Sequence, residues 1–351
     1  MRWNRALLAA VTTVCVPLLF AGAPSRPVHK TKYVMGTVYE IAAYSESPER
    51  ASAAIDKAFM EIARLDEVLS NYRPESDLSR LNRDGHFHAV KVPPDLFRVI
   101  EESVNYSRIS GGKFDISVAP LVDMWKAALR GERVATQTEQ DELRACVGYD
   151  KIELIPPDMV EFDSPCMRID VGSVGKGYAV DRAVEILRAN GIKNALVDAG
   201  QSSIYGMGAP PGASAWEVHL RDPSRRVDPT VMLSENSVST SEQTPPSLLG
   251  NETTGHIIDP ENGKPLKTKY ALSVVAKTGT ASDALSTTLL LLGPKKGKPI
   301  VEEIADAAAI WVSADGETET VTTGPEIQLS GKSELQAQTG KHLFAGPRVK
   351  Q

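Results

Sequence analysis

Hydrophobic residues recur at helical spacing in several stretches of the chain. Between residues 51 and 70 they form one stripe, made of Ile55, Ala58, Phe59, Ile62, Leu65 and Leu69, which predicts a helix packed on a core. Residues 93–110 start with proline and are followed by Gly111, as is typical of a second helix. Thr136 and Glu139 have the spacing of a capping box that opens a helix ending near Cys146. Residues 178–190 give a further apolar face, which Gly191 closes.

Shorter runs alternate apolar and polar residues or are rich in β-branched residues, which indicates strands. These runs are VYEIAAY, KIELI, MVEFD, NALVDAG, WEVHLRD, ALSVVAK and AAAIWVSA. Helices and strands do not alternate regularly, so the order of elements favours α+β layers over a doubly wound α/β fold. We expect one compact domain over residues 30–347, with mixed or antiparallel sheets and packed helices.

The N-terminal segment has the pattern of a secretory signal. Arg2 and Arg5 precede an apolar run that ends at Phe20, and small residues follow it. The run is short for a membrane span. We therefore expect a cleaved signal peptide at residues 1–23 and a periplasmic or otherwise exported protein.

Composition and charge narrow the function classes. With 42% hydrophobic and 24% charged residues, the chain is globular in composition. Removal of residues 1–23 would take away two of the 39 basic residues and none of the 45 acidic ones, leaving a net charge of −8. This balance excludes nucleic acid as a partner and requires any phosphate-binding site to be local.

Cys146 and Cys166 are the two cysteines left after residue 23. In an oxidising compartment they could pair, whereas the interpretation favoured here is two unpaired cysteines of which at least one is buried. Two cysteines do not make a metal-binding cysteine cluster.

The stretch IDVGSVGKGYAVD, residues 169–181, places glycines and Lys176 between an apolar run and a helix. It lacks the spacing of a P-loop and of a dinucleotide-binding turn. At a strand-to-helix junction, free backbone N–H groups and the helix dipole favour an anion, and Lys176 adds a charge. The alternative is a tight glycine turn beside a solvated lysine.

A second candidate site lies in TGTASDALSTTLLLLG. A cap at Thr280 or Ser282 would put Asp283 in the first turn of a helix, with Thr287 on the same face. A carboxylate and a hydroxyl one turn apart suit a hard cation that prefers oxygen ligands. Alternatively, Asp283 is an ordinary first-turn acid and Thr287 bonds its own helix.

Two histidines deserve separate interpretations. His256 precedes the turn DPENGKP and is a candidate base, because the pKa of imidazole lies near working pH. The alternative for His256 is a plain hydrogen-bonding role. His219 alternates with apolar residues in a predicted strand and should face water.

Taken together, these motifs resemble the ApbE-type FAD:protein FMN transferases. The resemblance covers roughly residues 33–294 and rests on segments in the family's order: MGTVYEI, LSNYRPESDLSRLN, GGKFDISVAPLVDMW, RIDVGSVGKGYAVD, SVSTSEQ, GHIIDPENGKPL and SDALSTTLLLLG. It implies a secreted or membrane-attached α+β protein that binds FAD and a divalent cation, usually Mg²⁺. It also implies transfer of the FMN half of FAD to a threonine hydroxyl of a flavoprotein acceptor, such as a membrane-associated redox protein, with release of AMP.

The resemblance also implies site residues. Contacts to FAD would come from Met35, Tyr72, Lys113, Phe114, Asp115, Asp170, Lys176, Ile257 and Ile258. The metal would be held by Ser173, through its carbonyl or hydroxyl oxygen, and by Asp283 and Thr287. Lys176 would also neutralise charge on the leaving AMP. His256 would be the base, with Asp259 as its orienting partner or substitute.

The resemblance leaves three functions open and shows one departure. Some relatives hydrolyse FAD to FMN and AMP, and a flavin-binding protein without turnover is a third interpretation. Where the family commonly has two glycines, this chain has Gly200 followed by Gln201, which bears on acceptor specificity. The polar, proline-containing segment before His256 is expected to be a lid or docking loop.

Overall fold

The structure, a computed structural model, describes residues 26–243 and 256–330. The predicted signal peptide at residues 1–23, the polar segment at 244–255 and the predicted domain beyond residue 330 lie outside the described residues. No helix in the described part combines the length and apolar character needed to cross a membrane.

Seven helices are described between residues 26 and 330. They are α1 Pro48–Leu69, α2 Asp77–Asp84, α3 Pro94–Ile109, α4 Ala119–Leu129, α5 Gln137–Cys146, α6 Gly175–Ala189 and α7 Gly279–Glu302. The last of these is interrupted at Gly293, where φ is 70°. A 3-10 turn covers Tyr149–Lys151.

The described strands belong to four antiparallel sheets. They are β1 Val28–Val34, β2 Thr37–Tyr44, β3 Val90–Lys91, β4 Ile152–Ile155, β5 Met159–Phe162, β6 Asn194–Ala199, β7 Ser203–Met207, β8 Trp216–His219, β9 Pro229–Leu233, β10 Asn236–Glu242, β11 Ile258–Asp259, β12 Lys264–Pro265, β13 Tyr270–Ala276, β14 Ala308–Ser313, β15 Thr318–Thr322 and β16 Ile327–Leu329. The main sheet has the order β1-β2-β6-β7-β10-β13-β14-β15, and the smaller ones are β16-β9-β8, β3-β5-β4 and β11-β12.

The main sheet is covered on both faces, which makes the fold layered. Alternation along its strands separates the faces: Val275 and Ile310 pack toward the β16-β9-β8 sheet, whereas Val274 and Trp311 pack against α7. Helices α1, α3 and α6 cover the other half of the sheet in one large core. The α+β prediction is therefore confirmed, and the antiparallel alternative is the one observed among the described strands.

Most predicted elements are present, and their ends follow the expected signals. The stripe of α1 is buried, and α3 ends before Gly111, whose φ is 62°. Thr136 caps α5 by accepting from the Glu139 N–H at 3.2 Å. Only half of the predicted capping box forms, because the Glu139 carboxylate is paired with Arg133.

The start of α7 differs from the prediction. Thr278 is the N-cap and accepts from the Ala281 N–H at 3.1 Å, whereas Thr280 and Ser282 lie inside the helix. The Thr280 hydroxyl donates to Asp181, so it is not free to cap its own helix. Asp283 therefore lies in the second turn rather than the first, and its four-residue spacing to Thr287 is retained.

The segment before the glycine turn, GSVGKG at residues 172–177, is not a strand. Residues 169–171 belong to no strand, and the nearest pairing is an isolated parallel bridge between Val118 and Arg168. The predicted strand-to-helix junction is thus a loop-to-helix junction. Its apolar residues are buried in the core, which explains why the sequence looks like a strand.

The cysteine prediction was wrong. Cys146 and Cys166 form a disulfide, with their Cα atoms 5.4 Å apart. The bond joins the last residue of α5 to the loop that follows β5. Their positions 20 residues apart could not show this proximity, because it depends on how the β4–β5 hairpin between them folds back.

Candidate functional site

A cleft of about 1230 Å³ gathers most of the predicted site residues. Those lining it are Met35, Tyr72, Phe114, Asp115, Asp170, Ser173, Lys176, His256, Ile257, Ile258, Asp283 and Thr287. They come from six separate parts of the chain. Among the described residues, Lys113 and Asp259 are the two predicted site residues that do not line the cleft.

Hydrogen bonds among its own residues hold the glycine turn in place. The Asp170 carboxylate accepts from the Gly172 N–H at 2.8 Å, and Lys176 Nζ donates to the Gly172 carbonyl at 3.0 Å. Helix α6 then begins at Gly175 without a side-chain cap. The amides of Ser173 and Lys176 have no hydrogen-bond acceptor within the described part of the chain, so they and the Lys176 ammonium are the donors left for an anion.

The glycines of this turn have different functions. Gly177 lies where α6 crosses the start of α7, and a Cβ at Gly177 would come within 2.1 Å of the Gly279 carbonyl oxygen. A Cβ at Gly175 would meet only side chains at ordinary contact distances. Gly177 is therefore a packing glycine that allows two backbones to approach.

Asp283 lies at this helix crossing and is buried. Its carboxylate accepts from the Gly177 N–H at 2.9 Å, which ties α7 to the glycine turn. Burial raises the pKa of Asp283, while the Lys176 ammonium and the Gly177 N–H act in the opposite direction. A desolvated carboxylate with one cation near it is electrostatically suited to a second cation.

Thr287 faces the same cleft, and the sheet below it fixes its hydroxyl. Ser241 Oγ lies 3.1 Å from Thr287 Oγ1 and 2.8 Å from Ser286 Oγ. Ser286 donates in turn to the Asp283 carbonyl at 2.8 Å. These bonds connect β10 to both candidate metal ligands of α7, and the predicted alternative of a Thr287 hydroxyl bonded to its own helix is not observed.

The metal prediction rests on oxygen donors other than clustered carboxylates. Residues 26–243 and 256–330 contain no group of three or more His, Cys, Asp or Glu side chains arranged to hold a metal ion. The predicted donors, the Asp283 carboxylate, the Thr287 hydroxyl and an oxygen of Ser173, belong to residues that line the cleft. Such hard oxygen donors suit Mg²⁺, which keeps several waters or substrate oxygens in its shell.

His256 is exposed in the cleft, and its backbone is anchored by a buried glutamine. Gln243 Oε1 accepts from the N–H groups of His256 and Ile257, both at 3.1 Å. Gln243 Nε2 donates to the carbonyls of Ile257 and Leu266. Desolvation within the cleft lowers the pKa of His256, and the positive charges of Lys176 and Lys126 lower it further. The imidazole is therefore neutral at neutral pH and able to accept a proton.

The predicted partnership of His256 and Asp259 is not observed. The Asp259 carboxylate binds Lys113 Nζ at 2.9 and 3.0 Å and also accepts from the Asn262 side chain and the Glu261 N–H. Its bonds therefore organise the DPENGKP turn and anchor it to the loop after α3. Lys113 also pairs with Glu261, so the charges of Lys113 and Asp259 are engaged in this turn and not in the cleft.

The predicted flavin contacts divide into exposed and buried groups. The Tyr72 side chain is 81% exposed, and Lys126 Nζ lies 3.0 Å from its hydroxyl. Met35 has a φ of 51°, and its sulfur accepts from the Tyr39 hydroxyl. Asp115 is buried and accepts from Ser117 and from the Tyr149 N–H, so it mainly holds local backbone.

Sequence analysis did not identify Lys126, which lines the cleft, or Asp181 and Gln243, which hold neighbouring residues in place. Asp181 bridges the two helices, because its carboxylate accepts from the N–H groups of Gly279 and Thr280 and from the Thr280 hydroxyl. Asp181 ends the stretch GKGYAVD and Gln243 ends SVSTSEQ, so both were in quoted motifs. Their partners are distant in sequence, and no spacing rule identifies them.

Gln201 also lines the cleft, at a position that favours glycine. Its φ is 62°, and its N–H donates to the Asp198 carboxylate at 2.6 Å. A left-handed conformation is costly for a residue with a Cβ. The departure noted in the sequence therefore coincides with a strained residue on the cleft wall.

Comparisons with known proteins identify the family to which this fold belongs. The model of the ApbE family matches residues 35–311. The chain is 27% identical to a Vibrio cholerae protein named FAD:protein FMN transferase, over 81% of this chain and 88% of that protein. Its fold matches a histidine-to-glycine variant of the flavin transferase ApbE from Vibrio cholerae with a TM-score of 0.74 at 25% identity, covering 85% of this chain and 98% of that one.

A further solved structure, the apo form of the flavinyl transferase ApbE from Pseudomonas stutzeri, matches with a TM-score of 0.73 at 26% identity. The match covers 86% of this chain and 97% of that one. The family match spans well over half of the chain and includes the glycine turn, Gln243, His256 and the start of α7. This chain belongs to the ApbE family.

Proposed function

We propose that this protein transfers the FMN moiety of FAD to a threonine hydroxyl of an acceptor flavoprotein and releases AMP. The observation that carries the proposal is the convergence of Ser173, Lys176, His256, Asp283 and Thr287 on one cleft. Relatives of this chain also support the proposal, because the ones that match over most of their own length are named FAD:protein FMN transferases.

We further propose that the reaction depends on a divalent cation, with Mg²⁺ as the candidate. Asp283, Thr287 and Ser173 would hold it, since they line the same cleft and offer one carboxylate and neutral oxygens. When bound, such a cation supplies neutralisation of phosphate charge. Burial of Asp283 beside a single lysine makes the site more favourable with a cation than without one.

The residues of the chain supply the remaining requirements. Lys176 and the amides at the start of α6 face negative phosphate oxygens, where positive charge stabilises the departing AMP. His256, kept neutral by its lowered pKa, takes the proton of the acceptor hydroxyl. The bond from threonine Oγ to the FMN-side phosphorus forms, and the bond from that phosphorus to the bridging oxygen breaks, so AMP leaves with that oxygen.

We also propose that the protein is exported and that its signal peptide is cleaved. The pattern of residues 1–23 is that of a cleaved signal peptide, and the Cys146–Cys166 disulfide is compatible with an oxidising compartment such as the periplasm. Mass spectrometry of the mature N-terminus, isolated from the native host, checks the cleavage after Ala23.

The test is a transfer assay with purified protein, FAD, Mg²⁺ and a candidate acceptor domain. We expect the acceptor to gain one FMN, with one AMP released for each, and an acceptor lacking the target threonine to gain nothing. Asp283→Ala should reduce the rate about a hundredfold or more, whereas Asp84→Ala, at the C-terminal end of α2 and outside the cleft, should not change it.

Two other outcomes would replace the proposal. AMP and free FMN formed in equal amounts without acceptor would identify a FAD pyrophosphatase. Tight FAD binding with no AMP under any condition would identify a flavin-binding protein without turnover.

A further inference from the structure

The loop between β8 and β9, residues 220–228, forms part of the rim of the cleft and is called the rim loop here. Arg221, Asp222, Arg225, Arg226 and Asp228 all line the cleft. The loop belongs to the β16-β9-β8 sheet, whereas the glycine turn and α7 belong to the helical layer. The rim loop is thus a separate wall of the same cleft, with no predicted role in binding FAD.

The rim loop is held in one conformation by Asp222. Its carboxylate accepts from the N–H groups of Ser224, Val227 and Asp228 and from the Ser224 hydroxyl. Arg225 and Asp228 have φ values of 56° and 45°, which few residues adopt without such support. A loop ordered in advance loses little conformational entropy when it binds a partner.

The charges on the rim loop are unevenly neutralised. Arg221 is paired with Glu242 at 2.7 Å, and His219 with Asp228 at 2.9 Å. Arg225 and Arg226 are exposed, and no carboxylate within residues 26–243 and 256–330 lies within ion-pair distance of either. Two unneutralised guanidinium groups therefore lie together on the cleft of a protein whose formal net charge is −6.

We infer that Arg225 and Arg226 dock an acidic segment of the acceptor protein next to its target threonine. This inference rests on the proposed transfer function. Guanidinium groups bind carboxylates through paired hydrogen bonds, which fixes orientation as well as adding affinity. The phosphates of FAD already have Lys176 and the start of α6, so the rim arginines are available to the second substrate.

The test uses two fluorescent peptides that are identical around a central threonine, except that one has glutamates and the other glutamines on both sides. With FAD and Mg²⁺ present, wild-type protein should bind the glutamate peptide about tenfold more tightly by fluorescence anisotropy. This preference should fall as salt is raised. Arg225→Glu with Arg226→Glu should abolish it.

The matched control is Arg50→Glu with Arg108→Glu. It makes the same change in net charge on α1 and α3, away from the cleft, and should keep the preference. The affinity for FAD, measured by flavin fluorescence, should be the same in wild type and both double variants. A loss of FAD affinity confined to the rim double variant would assign the arginines to the nucleotide and overturn the inference.

Equal binding of the two peptides by wild type, or no binding of either, would also overturn it. The proposed function is tested separately by mass spectrometry of the acceptor domain. FMN transfer with no charge preference refutes the rim inference alone. A charge preference with no FMN transfer to any acceptor refutes the proposed function and leaves the surface as a binding site.

Discussion

At the scale of single residues, Gly177 sets how closely two functional helices approach. We predict that Gly177→Ala destabilises the protein, because the new Cβ would lie 2.1 Å from the Gly279 carbonyl oxygen. Because backbone rather than a flexible side chain is in the way, we expect a loss of about 1–3 kcal/mol in the free energy of unfolding. Urea denaturation measures it.

Gly175→Ala is the matched control for this prediction. It lies two residues away in α6, where a Cβ has contacts of 3.8 Å or longer. It should change stability by less than about 1 kcal/mol. Equal losses in the two variants would show that the crossing at Gly177 is not the cause.

Asp198, also a single residue, should make the stability of the protein depend on pH. Burial and the nearby Glu40 raise the pKa of Asp198 to about 6, above the value near 3.8 in the unfolded chain. Between about pH 4 and pH 6 the folded protein keeps a proton that the unfolded chain releases, so stability should fall as pH rises through this window. Because the side chain is partly exposed, water screens the effect to about 1–2 kcal/mol.

Asp198→Asn tests this assignment. Asparagine keeps an oxygen that accepts from the Gln201 N–H but carries no charge. The variant should be more stable than wild type at pH 8 and should lose this part of the pH dependence in urea titrations. Asp198→Ala, which also removes the acceptor, should not show the gain. An unchanged slope between pH 4 and 6 in Asp198→Asn would rule out Asp198 as its source.

At the scale of elements, Asp181 fixes the start of α7 relative to α6. Asp181→Asn replaces one acceptor oxygen by an amide that faces N–H donors, so at least one of three hydrogen bonds is lost. We expect stability to fall by about 1–3 kcal/mol. Because Asp283 and Thr287 lie on the same helix, the Mg²⁺ concentration for half-maximal transfer should rise.

Thr278→Ala provides the comparison. It removes the N-cap of the same helix, at a cost of about 1 kcal/mol, and leaves the Asp181 bonds intact. Its Mg²⁺ requirement should stay close to that of wild type. If both variants shift the Mg²⁺ requirement equally, the effect follows from helix stability and not from the position of α7.

At the scale of the whole molecule, the Cys146–Cys166 disulfide joins α5 to the loop after the β4–β5 hairpin. It closes a segment with a sequence separation of 20, for which chain entropy predicts about 3 kcal/mol of stabilisation. Cys146→Ser with Cys166→Ser, or reduction of wild type, should lower the free energy of unfolding by about that amount. Reductant should leave the double variant unchanged, and insensitivity of wild type to reductant would contradict the prediction.

The sequence by itself determined the elements with strong periodicity, and twelve of the site residues that it predicted line the cleft. The apolar stripes of α1 and α6, the end residues of α3 and the seven strand-like runs became helices and strands, because each signal is a local matter of spacing and end residues. Short strands such as β3, β11 and β12 carry two residues each and have too little pattern to be recognised.

Only the tertiary structure decided how these elements meet. The crossing of Gly177 and Gly279, the bridge from Asp181 to α7, the pairing of Lys113 with Asp259 and the disulfide all join residues far apart in the chain or across intervening elements. Such contacts depend on which surfaces pack together. Sequence spacing describes one element at a time, so it identified His256 and Asp283 but could not show what holds them.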